Sequence, residues 1–85
     1  MNATQLKALH KQTHPESHFF DRSNMVYFGD TMKNFYVEEV WLEESPGVEA
    51  PFYVLRRNRP VRNGLRGFHV FDEDGNFRPD LQSRV

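Results

Sequence analysis

His10, His14 and His18 stand four residues apart, and two histidines at i and i+4 on one helical turn form a metal-ligand spacing. Pro15 interrupts the pattern, because it biases His14 toward extended backbone and ends any helix there. The three rings then do not share a face. His10 is expected to pack against a sheet while the others meet solvent, and no metal or other cofactor is expected. His69, on a strand face with Gly67 and Phe71, reads as a sheet histidine. The acidic run Asp72-Glu73-Asp74-Gly75-Asn76 has the composition of a calcium loop but not its spacing. Counted from Asp72, the positions that need Gly and Glu hold Phe77 and Ser83, so a turn with solvated carboxylates is expected.

Covalent catalysis has no candidate. The chain lacks cysteine, and Ser17, Ser23, Ser45 and Ser83 stand in contexts that pair none of them with a base. Asp21, His18 and Asn24 can be drawn together as an acid-base set, but nothing supplies a nucleophile, and no glycine-rich phosphate loop occurs. The expectation is a protein that is not an enzyme.

Two features remain. Between Ala50 and Arg66 lie Arg56, Arg57, Arg59, Arg62 and Arg66 with no acid, whereas Asn34 to Glu49 carries five Glu and no base. Guanidinium forks bind phosphate or carboxylate, and the neighbouring Phe52, Tyr53 and Phe68 offer rings for stacking, so the arginines are a candidate nucleic-acid contact. The acidic neighbour cancels much of the long-range field, and the net charge is −1. The second feature is an apolar hairpin. Phe35, Val37, Trp41, Phe52 and Val54 are assigned to one side of it, and Tyr36, Val40, Leu42, Tyr53 and Leu55 to the other. Two short helices hardly cover both sides, so the Trp41 side is expected to be an exposed protein-binding surface, for a partner or for a homodimer.

The elements that must position these residues follow from local pattern. Asn2 with Gln5 three residues on is a capping box, and Leu6, Leu9, His10 and Thr13 recur at helical spacing, predicting a helix over Ala3 to Thr13. A second, very short helix is expected with Asp21 as cap, Phe20 and Met25 as a hydrophobic staple and Gly29 at its end. From Asn34 the aromatic and β-branched content predicts a strand, Ser45-Pro46-Gly47 a turn, and Pro51 to Arg57 a returning strand. If Ser45 faces Ala50 across a four-residue loop, Trp41 meets Val54, Val40 meets Leu55, Glu39 meets Arg56 and Glu38 meets Arg57. That register pairs the segregated charges. Arg62-Asn63-Gly64 predicts another turn, Leu65 to Phe71 a third strand, and the polar tail over 78–85 fraying.

The predicted fold is one small α+β domain over residues 1–85, an N-terminal helix and a short second helix packed on a three-stranded antiparallel sheet. A chain of this size buries only about 60% of its unfolded surface, so its core is small, and eight Phe help by burying much area per residue. No apolar run reaches membrane-spanning length and the first residues lack a secretory signal, so a cytoplasmic location is expected.

His18-Phe19-Phe20-Asp21-Arg22, followed by Met25, Phe28-Gly29, Thr31-Met32-Lys33-Asn34 and Phe35, resembles a family of small phage-, prophage- and plasmid-encoded proteins. Their shared pattern is close to HFFDxxTMxFFGxxMxN. Here Asn24 stands where the family commonly has Thr, and Tyr27 where it has Phe. The resemblance covers about residues 14–36 and implies a setting, bacterial mobile elements, with no activity carried over. Small proteins in that setting often act by binding host or phage machinery, which agrees with a non-enzymatic binding module.

Overall fold

The computed structural model of the chain describes residues 1–22, 32–58 and 68–85. Helix α1 spans Ala3–Thr13, and the capping box is formed: Asn2 Oδ1 accepts the Gln5 amide at 2.8 Å while Gln5 Oε1 accepts the Asn2 amide at 2.7 Å. Its buried side is Ala3, Leu6 and His10. The one-turn helix α2 spans Phe19–Arg22, which corrects the assignment of Asp21 as a cap. Asp21 lies inside the turn and its amide bonds to His18 O, while Ser17 supplies the side-chain oxygen at the start, accepting the Phe19 amide at 3.1 Å. Met25 and Gly29, the other expected marks of that helix, lie outside the described residues.

A 3-10 turn over Met32–Asn34 leads into β1 (Phe35–Ser45), which pairs with β2 (Val48–Arg57), which pairs in turn with β3 (Phe68–Phe71). All pairings are antiparallel in the order β1-β2-β3, the expected α+β architecture. The register differs from the expected one. Ser45 faces Val48 rather than Ala50, across a two-residue turn of Pro46 and Gly47. Proline fixes the first central φ and Gly47 takes the positive φ (78°) wanted at the second, so this dipeptide closes the tighter loop. The ladder then shifts between Glu43 and Ser45, leaving Glu44 as a bulge. Beyond it Trp41 faces Pro51, Glu39 faces Tyr53, Glu38 faces Val54 and Tyr36 faces Arg56.

An odd shift in register exchanges the faces of a strand. Phe35, Val37 and Trp41 therefore share a face with Tyr53 and Leu55, while Phe52 and Val54 lie on the other face with Val40 and Leu42. Both faces are covered near the centre of the sheet. Ala3, Leu6 and Phe20 pack on Phe35, Leu55 and Phe71 on one side. On the opposite side Phe52, Val54 and Val70 pack against Leu81.

Leu81 belongs to the tail expected to fray. Instead Pro79–Arg84 form a 3-10 helix on the second face, and Leu81 is only 3% exposed. The approach to it is tied down by backbone and side chain: the Arg78 amide bonds to Val70 O at 2.7 Å, and Gln82 Nε2 donates to Phe68 O at 3.2 Å.

The turn after β3 is similarly built in. Asp72 Oδ1 accepts the amides of Asp74 and Asn76, each at 2.9 Å, so that carboxylate organises the turn rather than merely meeting solvent. Gly75 adopts φ 81° and lies against the backbone of α1. His10, only 5% exposed, joins these parts. Its Nδ1 lies 2.6 Å from Gly75 O and its Nε2 2.7 Å from Ser17 Oγ. A carbonyl only accepts, so Nδ1 carries the proton, and in the neutral ring Nε2 accepts from the Ser17 hydroxyl.

His69 is less well satisfied. Its Nδ1 is buried with no hydrogen-bond partner among the described residues, and Phe19 and Phe77 pack on its ring. Burial disfavours the imidazolium and lowers the His69 pKa from 6.5. A histidine with a lowered folded-state pKa stabilises the fold fully above its unfolded value and loses that contribution as pH falls below it. Stability is expected to decline as pH falls below 6.5, the unperturbed value. Melting temperatures of the parent and of His69→Leu at about pH 7.5 and about pH 5.5 check this, with a smaller acid-induced drop in the variant.

Candidate interaction surface

The far half of the hairpin runs past β3, which pairs only with Tyr53 to Arg56 of β2. On the Trp41 face, side chains there lose the cover that α1 and α2 give the rest of the sheet, while Leu42, Ala50 and Phe52 on the other face pack beside Leu81. Trp41 is 60% exposed and Val48 56%. An indole left this open in a chain with a small core is the clearest candidate for a contact residue.

Of the five residues assigned to a partner-binding face, the structure leaves Trp41 exposed and Val37 half-buried, on the same face. Phe35 lies on that face too, but at 7% exposure it is part of the core under α1 and α2. Phe52 and Val54, at 1% and 0%, are core residues of the opposite face, so neither can meet a partner directly. The error has one source, the register: the two-residue turn alone shifts the pairing by two and keeps the faces, and the bulge at Glu44 adds the third step that exchanges them.

Beside Trp41 lies an open groove of about 450 Å³, lined by Trp41, Leu42, Glu43, Glu44, Pro46 and Arg84 among others. It takes in residues from both faces of β1 and therefore follows the outer edge of the strand. Among the described residues that edge has no paired strand, since β1 ends the order of the sheet. Its far end is organised by polar contacts. Glu43 Oε1 accepts the Gly47 amide at 2.6 Å, and the bulged Glu44 reaches Arg78, Oε1 to Nη1, at 2.6 Å. Arg78 also grips Asp80, Nη2 to Oδ2 at 2.9 Å, and its guanidinium lies 5.8 Å from the Phe52 ring centre. Those hydrogen bonds hold the Asp80 carboxyl below the usual carboxylate range and push Arg78 further up. Arg84 donates from Nη1 to the carbonyl of Glu43. The C-terminal segment is thereby strapped to the hairpin tip.

The arginine surface is broken up differently. Arg56 pairs with Glu38, Nε to Oε2 at 2.9 Å, a diagonal contact replacing the expected Glu39–Arg56 and Glu38–Arg57 pairs, and it also lies over the Phe68 ring. Arg57 lies over Phe35. Arg59, Arg62 and Arg66 lie outside the described residues. Phe52, one of the rings available for base stacking on sequence grounds, is buried.

Among the described residues no group of three or more His, Cys, Asp or Glu is placed to hold a metal ion. His10 spends both ring nitrogens on Gly75 and Ser17, and His14 stacks on its ring at 4.8 Å between centres. His18 stands apart from them, 3.9 Å from Asp21 with both side chains exposed. No helix among the described residues is long and apolar enough to cross a membrane.

Comparison with known proteins gives no assignment: no family model, no curated protein and no solved structure matches the chain. What sequence inspection missed is the contribution of the C-terminus. Leu81 within an otherwise polar tail was its only apolar signal before Val85.

Proposed function

We propose that this chain is a non-enzymatic protein-binding module that engages its partner through the exposed far half of the β1–β2 hairpin, with Trp41 as the anchor. The observation that carries this reading is the 60% exposure of Trp41 beside the groove along the outer edge of β1. Buried aromatic anchors dominate the energetics of protein interfaces, and an unpaired strand edge can bind an extended segment by main-chain hydrogen bonds. The mobile-element setting, in which such a module would act on host or phage machinery, is supported by the motif from His18 to Asn34 alone. A nucleic-acid contact is the second reading, supported by the five arginines between Arg56 and Arg66.

Affinity capture from bacterial lysate with the parent chain and with Trp41→Ala, with and without nuclease and at low and high salt, separates the two. A stoichiometric protein that survives nuclease and salt and is lost with Trp41→Ala is the expected result. Because the indole is mostly in solvent, the variant should keep its stability within about 0.5 kcal/mol. Bound material that disappears with nuclease, and whose binding falls steeply with salt, assigns the arginines instead.

A further inference from the structure

Trp41 sits in acidic surroundings. Glu39 and Glu43 lie two residues to either side of it along β1, on the same face, and Glu43 is directly opposite Glu49 on β2. Like charges directly opposite in an antiparallel pair destabilise it. Among the described residues neither Glu39 nor Glu49 forms an ion pair, and the Glu43 carboxylate accepts the neutral Gly47 amide. Other glutamates of the strand do have cations, Glu38 pairing with Arg56 and Glu44 with Arg78. Arg84 extends into the groove and donates to the main-chain carbonyl of Glu43.

Resting on the protein-binding reading above, we infer that the partner contributes an extended segment rich in arginine or lysine, laid along the outer edge of β1 with a cationic side chain on the Trp41 ring. Three observations select that occupant. Tryptophan is the best of the rings for a cation–π contact, and this one is open to solvent. The carboxylates of Glu39, Glu43 and Glu49 around it form a field of one sign that a basic segment neutralises. The Arg84 contact shows that a guanidinium fits in the groove and finds a main-chain acceptor there. A second copy of the chain fits poorly. Two β1 strands paired antiparallel about Trp41 would set Glu39 against Glu43 and Glu38 against Glu44, opposing every glutamate of the strand with another. The same carboxylates repel phosphate, which argues against nucleic acid at this edge.

The chain's one tryptophan makes its fluorescence a report from the site. The full chain is titrated with a short peptide alternating Arg and Val, and with counterparts carrying Thr or Glu in place of Arg. The Arg peptide is expected to change Trp41 emission and to bind at least about tenfold more tightly than the Thr peptide, with the Glu peptide inert. In the double variant Glu39→Gln, Glu49→Gln, whose exposed side chains leave the fold intact, that preference should shrink by about tenfold. Equal binding of the Arg and Thr peptides overturns the basic partner and leaves the hairpin reading standing. If no peptide perturbs Trp41 while Trp41→Ala still abolishes capture, the basic segment is again overturned alone. If no peptide perturbs it and capture is indifferent to Trp41→Ala, both fall. A dimer in sedimentation that Trp41→Ala dissociates makes the occupant a second copy and overturns the inference.

Discussion

Replacing Leu81 with Ala is expected to cost about 2–5 kcal/mol of folding stability, a large share of what a domain of this size has. The side chain is 3% exposed and packs with Phe52, Val54 and Val70, the apolar face of the sheet that the two helices leave uncovered. Truncation removes the apolar transfer energy and leaves a cavity beneath a 3-10 helix that the polar bonds of Gln82 and Arg84 keep from collapsing onto the sheet. The loss should appear as a fall in melting temperature of about 4–8 °C for each kcal/mol. Arg78→Ala offers a contrasting result. The carboxylates it pairs with, Glu44 and Asp80, are exposed to solvent and the ion pairs should contribute little, so a loss well below that of Leu81→Ala is expected, read in the same melting experiment. Equal melting of Leu81→Ala and the parent would mean that the tail does not cover the sheet. The second face would then be open, and the interaction surface larger than the hairpin tip.

Gly75→Ala is the second large effect, about 2–4 kcal/mol, and Gly47→Ala is its control. Both glycines have positive φ, 81° and 78°, which costs an L-residue about 1–2 kcal/mol. Their surroundings differ. A Cβ on Gly47 meets nothing within 4 Å, whereas one on Gly75 would stand 3.0 Å from His10 N, 3.0 Å from Leu9 Cγ and 3.1 Å from Leu9 C. Two of those atoms are helix backbone, so the clash is relieved only by moving the turn away from α1. That movement also stretches the bond from His10 Nδ1 to Gly75 O, and with it the link through His10 to Ser17 and the start of α2. Equilibrium denaturation of the two variants isolates the packing component as their difference. A difference near zero would show that the turn does not press on the helix.

Local signals were legible wherever one short stretch decides its own conformation. The Asn2–Gln5 box begins α1 and Pro15 follows its end; aromatic and β-branched residues mark β1 and β2; Pro46-Gly47 marks the turn between them. Helix, hairpin, third strand and the α+β class follow from such signals alone. The face of each hairpin residue did not, because it depends on the bulge at Glu44, and that one extra residue moves Phe52 and Val54 from one side of the sheet to the other. Trp41 was expected to be a contact residue through its type, and its exposure depends on how far β3 runs along β2.

Composition and spacing determined the class of fold, the lack of cysteine chemistry and the separation of acidic from basic segments. Tertiary structure alone decided that Leu81 closes the second face, that Gly75 meets α1, that His10 links the turn to Ser17, and that Trp41 stands free among Glu39, Glu43 and Glu49. Each of these joins residues far apart in the chain or on separate strands. Such contacts are set by the closure of the whole fold, through packing and register, and no local propensity encodes them.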